Sequence, residues 1–187
     1  MDAFFNSLGM AEIPILDFIR NNIACPFLDA VMPFISSICD HGEIWIVWAL
    51  VLLFIPKTRK TGFAMAIALI MGLVLVNMIM KPAFARIRPY DLAEVALIID
   101  KPHDYSFPSG HTLSCFEAFG AMFMTNKKLG LVALVPAVLI TFSRLYLYVH
   151  FPTDILGGIV LGLVFAFVAV KITNSIYAKA DNKGKTK

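Results

Sequence analysis

Cysteine is scarce in this 187-residue chain, and the three present, Cys25, Cys39 and Cys115, form an odd set without metal-ligand spacing. No structural disulfide is expected from them. Also missing are a His-Glu-x-x-His motif, a cluster of paired carboxylates and any Cys/His pattern typical of zinc, so no metal site and no cofactor are expected. The opening residues lack a basic start followed by an apolar core and a small-residue cleavage site, which argues against a cleavable signal. Internal repeats and helices interrupted at the midplane, expected of a transporter, are absent as well.

What the chain has in excess is apolar surface. It is 59% hydrophobic with a mean hydropathy of +0.78, against roughly 45–50% apolar residues in a soluble domain. Residues 1–187 therefore read as a single integral membrane domain, all-α and polytopic. A membrane helix needs about 20 mainly apolar residues. The apolar runs predict about six helices, near residues 26–39, 43–57, 61–85, 109–126, 129–149 and 152–177. The first two are short for a span, and Pro26, Pro33 and Pro56 suit irregular ends. Residues 13–22 carry Asp17 and Arg20 among Ile15, Leu16, Phe18 and Ile19, a pattern expected of an amphipathic helix on the cytoplasmic surface. Residues 178–187 read as a disordered basic tail.

The net charge of +3 matters less than its placement. Lys57, Arg59 and Lys60 form one basic connection, Lys127 and Lys128 a second, and Lys171, Lys179, Lys183, Lys185 and Lys187 the C-terminal end. The positive-inside rule assigns all three regions, and so the C-terminus, to the cytoplasm. The segments 81–109 and 149–153 and the turn around His41 then fall outside. The loop from Tyr90 to Phe107, with Asp91, Glu94, Asp100, Lys101, His103 and Asp104, is expected to form an external rim; each charge taken singly is equally a solvated loop residue.

Three patches on that face carry chemistry. Lys81 and Arg88 are seven residues apart, so on one continuous helix they share a face and can address one anion, while Arg86 lies well round from both and is left out of the site. Pro89 ends that helix near Arg88. In Pro108-Ser109-Gly110-His111, Ser109 is a good N-cap and Gly110 lets backbone approach a ligand, so the helix start favours an anion. His111 is placed to give a proton to a leaving oxygen. Asp154 follows His150 by four residues and can fix its tautomer, leaving the other ring nitrogen free to attack phosphorus. Arg144 adds a planar donor fork suited to phosphate oxygens. With three cations supplying positive charge, metal-independent chemistry is expected. Glu117, about two turns into its helix, is ionisable at membrane depth and has no assigned role at this level.

Lys81-x6-Arg88-Pro89, Pro108-Ser109-Gly110-His111 and Ser143-Arg144-x5-His150-x3-Asp154 resemble the full three-part signature of the type 2 phosphatidic acid phosphatases, with no signature position substituted. The likeness covers about residues 60–170. It implies a six-helix membrane phosphatase with its active site on the outer face. Residues matching Lys81, Arg88, Ser109, Gly110 and Arg144 would hold the phosphoryl group. His150 would form a phosphohistidine, His111 would protonate the leaving group and Asp154 would orient the nucleophile. Vanadium-dependent haloperoxidases share the signature, but hydropathy argues against them. The family acts on phosphatidic acid, phosphatidylglycerol phosphate, lipid A and undecaprenyl diphosphate. Small size and an outward-facing site suit a bacterial enzyme of the cell membrane that recycles undecaprenyl diphosphate, with the phospholipid phosphomonoesters as alternative. The expected partners are such a lipid phosphate or diphosphate and the membrane lipids, with no nucleic acid. A lipid transporter using the phosphate site as a binding station is the alternative of another class.

Overall fold

The computed structural model describes residues 2–93 and 95–185; Glu94 and Lys187 lie outside the described residues. These residues form helices and no strand: α1 (Asp2–Asn22), α2 (Pro26–Ser37), α3 (Glu43–Phe54), α4 (Arg59–Gly72), then a π-helical stretch (Leu73–Met80) leading into α5 (Lys81–Phe84), α6 (Pro89–Leu92), α7 (Gly110–Thr125), α8 (Lys127–Tyr146) and α9 (Pro152–Lys185). The all-helical class expected from the sequence is what the chain adopts. Among the described residues three segments are long and apolar enough to cross a membrane, Arg59–Leu92, Lys127–Tyr146 and Pro152–Ala180, while Glu43–Phe54 is apolar but shorter.

Local chemistry sets several of these boundaries. Pro26 occupies the first turn of α2, where its missing N–H costs nothing. Ser109 caps α7 by accepting from the Thr112 N–H. Asn126 caps α8 by accepting from the N–H groups of Lys128 and Leu129, so a single residue turns the chain from α7 into α8. α9 runs to Lys185, so residues 178–185, expected as a disordered tail, continue the helix.

α3, α4 with its π-helical continuation, α7, α8 and α9 run between the two ends of the bundle. At one end lie the basic connections around Lys57 to Lys60 and Lys127; there the Thr125 hydroxyl of α7 donates to Thr61 of α4 at 2.9 Å. At the other end lie the three patches. α1 belongs to that second end, not to the basic one where it was expected: Phe5 packs on Phe84 and Phe107, and Tyr148 donates to Asp17 at 2.8 Å. It is also 21 residues long, well beyond the segment 13–22. α2 stays at the same end, because Asp29 in its first turn accepts from Tyr146 at 2.7 Å and Ser36 in its last turn accepts from Arg144. Twelve residues reach about 18 Å. The helix therefore lies across the patch end instead of descending through the bundle. The reason is polar: Asp17, Asp29 and Ser36 have their partners there.

The site is assembled by close contact of α7 with α9. A side-chain carbon at Gly158 would lie 2.9 Å from the Ser109 carbonyl oxygen and 2.9 Å from Thr112 Cβ, and one at Gly162 would lie 2.7 Å from the Leu113 carbonyl oxygen. Ala166, one turn further on, faces Gly120. Small residues at four-residue spacing let two helices approach backbone to backbone where lipid supplies no hydrophobic drive. Glu117 of α7 is buried against the backbone of α4, its carboxyl filling the space that a side chain at Gly72 would take.

Gly158→Val should separate α7 from α9 at the cost of the roughly 1–3 kcal/mol typical of overpacking, and so lower the thermal midpoint of the detergent-solubilised protein. Val160→Leu, on the exposed side of the same helix, should leave the midpoint unchanged.

Candidate active site

Lys81 and Arg88 reach one anion by a route other than a shared helix face. α5 ends at Phe84, and Ala85 takes a left-handed conformation (φ 47°) that turns the chain off the helix axis. Arg88 arrives in extended backbone. Lys81 Nζ nevertheless pairs with Asp104, and Arg88 Nη2 donates to the other Asp104 carboxylate oxygen at 2.5 Å, so the two cations do converge on one carboxylate. Arg88 Nε also donates to the Asp104 carbonyl oxygen at 2.9 Å. Burial alone would raise the Asp104 carboxyl, but Lys81 and Arg88 outweigh it and hold the pKa at about 2. Asp104, which reads as one rim charge among several in the sequence, is the counter-ion of the cationic pair.

His150 sits in the tight connection between α8 and α9. Tyr148 is left-handed (φ 60°), an unfavourable state for a residue with a side chain. It is held there by burial and by the bond of its phenol to Asp17. This turn aims the Val149 carbonyl oxygen at Arg88 Nη1, 2.6 Å away, and presents His150 beside it. His150 Nδ1 faces Asp154 Oδ2 at 3.4 Å, and its Nε2 faces Arg88 Nη1 at 3.3 Å. Burial first, then the positive charge of Arg88, Arg144 and Lys81, pushes His150 well below the ordinary imidazole range.

Asp154 is fully buried behind the imidazole. Its Oδ2 accepts from Ser106 Oγ at 2.5 Å and from the Phe151 N–H at 2.8 Å, and its Oδ1 accepts from Arg86 Nη1 at 2.6 Å. Arg86, left out on helical geometry, therefore does reach the site, on the far side of His150 and Asp154 from Lys81, Arg88 and Arg144.

His111 opens α7, with Nε2 3.2 Å from Asp40 Oδ1. That contact is the leading cause of the lowered Asp40 pKa, while burial and then Arg144 outweigh Asp40 and hold His111 at about 4. Ser109 is buried and its hydroxyl accepts from Thr112 Oγ1 at 3.1 Å, so it serves as the cap of α7. Gly110 brings backbone close to Lys81: a side-chain carbon there would stand 3.7 Å from its Nζ. Arg144 is buried, with Nη1 donating to Ser36 and Nε without a partner.

A cavity of about 1720 Å³ unites these groups; Lys81, Arg88, Gly110, His111, Arg144 and His150 line its polar end. Ser109 and Asp154 stand behind that lining. The cavity continues as an apolar groove past Ile46, Leu50 and Leu53 of α3 and Leu69, Ile70 and Leu73 of α4 and its continuation. Ile46, Leu50, Ile70 and Leu73 are exposed on its flank, so the groove opens sideways toward the bilayer. Among the described residues no group of three or more His, Cys, Asp or Glu side chains could hold a metal ion. Asp40, Ser36 and Ser106 carry no local pattern that would have marked them in the sequence.

Residues 60–177 match the PAP2 superfamily. The chain is 31% identical over 150 residues to the undecaprenyl-diphosphatase of Sulfolobus acidocaldarius, covering 79% of this chain and 72% of that protein. It is 29% identical over 154 residues to the undecaprenyl-diphosphatase BcrC of Bacillus subtilis, covering 82% and 79%. Its fold is similar to the crystal structure of a transmembrane PAP2-type phosphatidylglycerolphosphate phosphatase from Bacillus subtilis, with a TM-score of 0.72 at 27% identity over 91% of this chain and 88% of the other.

Any oxyanion that binds Lys81 and Arg88 must displace Asp104. Asp104→Asn should therefore tighten the binding of orthovanadate several-fold in a titration. A carboxyl held near 2 keeps its ion pairs above its ordinary range near 3.8 and loses them only as pH falls through about 2. The gain should thus be constant between about pH 5 and 8. Unchanged or weaker vanadate binding would show that Asp104 does not compete.

Proposed function

The chain belongs to the PAP2 superfamily as a membrane lipid phosphatase, and on that footing we propose that it hydrolyses undecaprenyl diphosphate at the outer membrane face through a phosphohistidine. The observation that carries the lipid reading is the continuity of the cationic pocket with the apolar groove. A phosphate held at Lys81, Arg88, Arg144 and the start of α7 leaves its hydrocarbon lying between α3 and α4. Along α3 the groove reaches from the site to Leu53, about 16 Å at 1.5 Å per residue, enough for a long chain to lie in part within the protein.

The geometry supports the following steps. Asp154 accepts from His150 Nδ1–H, so Nε2 presents its lone pair to the terminal phosphorus. A P–N bond forms as the P–O bond to the lipid phosphate breaks, and His111, protonated once the substrate's negative charge offsets that of Arg144 and Lys81, gives that proton to the departing oxygen. Water then attacks the phosphohistidine, yielding a proton to His111 and releasing inorganic phosphate. The cations stabilise the charge spread over the equatorial oxygens. Asp40 holds the His111 ring for both transfers. Phosphatidylglycerol phosphate is the second reading, favoured by the likeness to the Bacillus subtilis phosphatase structure over nearly the whole chain.

Purified protein should release phosphate from undecaprenyl diphosphate faster than from phosphatidylglycerol phosphate or phosphatidic acid; the reverse order would reassign the substrate. His150→Ala should abolish turnover. His111→Ala should retain partial activity on an aryl phosphate, whose leaving group needs little protonation, and equal, complete loss on aryl and alkyl phosphates would refute its role. A strong chelator should leave activity intact and vanadate should inhibit.

The outer-face assignment rests on the basic connections, which lie at the end opposite the site. In a variant free of the three native cysteines, Asp100→Cys should react with a membrane-impermeant thiol reagent in intact cells. Lys127→Cys should react only after the membrane is opened. The opposite pattern would place the site in the cytoplasm.

A further inference from the structure

Asp154 reaches, through one guanidinium, a carboxylate far away in the chain. Glu12 of α1 accepts from Arg86 Nη2 at 2.7 Å. It also accepts from the Thr153 N–H at 2.7 Å and from Thr153 Oγ1 at 2.9 Å. Arg86 in turn donates from Nη1 to Thr153 Oγ1 at 2.7 Å and to Asp154 Oδ1 at 2.6 Å. The guanidinium is sandwiched beside Phe151, 4.1 Å from its ring centre, with Phe5 of α1 at 5.2 Å. Glu12, Arg86 and Asp154 are all buried.

A buried triad of this kind is a poor way merely to fasten a helix. Removing charges from water offsets most of the Coulombic gain, and apolar residues of similar volume often hold as well or better. What the charges do supply is direction. Arg86 has two carboxylate partners, and Glu12 engages Nη2 through Oε2. Nε has no partner among the described residues, and Nη1 engages Asp154 through Oδ1 alone. Oδ2 remains turned toward Ser106, Phe151 N–H and His150 Nδ1. Without Glu12, both guanidinium nitrogens are free to take Asp154 in the two-bond fork that arginine and carboxylate prefer, drawing Oδ2 away from the imidazole. Thr153, the residue next to Asp154, would lose its backbone acceptor at the same time.

We propose that Glu12, acting through Arg86, is a positioning residue of the catalytic dyad, so that α1 is part of the catalytic apparatus. This rests on the reading of His150 as the nucleophile. The phosphate-holding groups Lys81, Arg88 and Arg144 make no contact with Glu12, so its loss falls on the rate of the chemical step and spares substrate binding.

The test compares wild type, Glu12→Ala, Glu12→Gln and His150→Ala in the same detergent micelles, measuring kcat and KM for a lipid phosphate and the inhibition constant of orthovanadate. Glu12→Ala should lower kcat between about tenfold and a hundredfold, the range expected when a reacting group is misplaced by about 1 Å. KM and the vanadate constant should stay within about twofold of wild type. Glu12→Gln, which keeps the shape and one acceptor but not the charge, should fall between. If the alanine variant does not fold, the glutamine variant decides. Wild-type kcat in a folded Glu12→Gln protein, or a loss residing wholly in KM, overturns the proposal. Wild type that releases no phosphate, or His150→Ala that still does, would instead overturn the function on which it rests.

Discussion

Asp154 has no exposed surface, yet the site requires its carboxylate to point one oxygen at an imidazole. An isolated carboxylate in such surroundings would be strongly disfavoured, because an unpaired buried charge loses its hydration without return. Four groups converge on it from three parts of the chain: Arg86, Ser106, and the consecutive His150 and Phe151 N–H. Much of the patch end is arranged to bring them there. The left-handed turns at Ala85 and Tyr148 deliver Arg86 and His150. The Ser106 N–H donates to the Arg86 carbonyl oxygen at 2.9 Å, tying the loop before α7 to the strand-like segment after α5. The Ser109 N–H donates to the Asp154 carbonyl oxygen at 3.2 Å, which links the helix bearing His111 to the helix bearing the carboxylate.

The phosphate-facing side obeys the complementary rule. Lys81, Arg88 and Arg144 are all buried, and like charges this close repel unless an anion lies among them. In the structure Asp104 supplies that anion for two of the three, from a loop with access to water. A carboxylate is a weaker match than a phosphoryl group, which carries more charge and more acceptor oxygens. The cationic pocket is thus kept assembled by a ligand of the protein's own, one that a better anion can replace.

Much of the bundle was legible because apolar run length reports membrane helices directly, and the signature residues were legible because their types and spacing are specific. The spacing of Lys81 and Arg88 predicts a shared face of one continuous helix, whereas Ala85 breaks that helix and the two side chains meet through Asp104. Arg86, which a continuous helix would turn away, reaches Asp154 because of that break. Glu12 was out of reach altogether. It bonds Thr153 across 141 residues of sequence, and no local pattern encodes a contact that only the tertiary fold creates. α1 departs from expectation for a related cause, since amphipathicity identifies a surface helix but not the surface, and residues 26–39, expected as a short membrane helix from their apolar run, lie across the patch end as α2. The hydrogen bonds of Asp17, Asp29 and Ser36 choose it.

The sideways opening between α3 and α4 changes what concentration means for this protein. A lipid that slides in from the bilayer and slides out again never becomes a solute, so encounter is a search in two dimensions. Occupancy of the groove then follows the mole fraction of the lipid among its neighbours, and diluting the membrane with other lipids starves the site even when the total amount of substrate in the suspension is unchanged. Inorganic phosphate, by contrast, departs into three dimensions. The two products of one bond cleavage leave by different geometries, and the reverse reaction is disfavoured by that separation as well as by the chemistry.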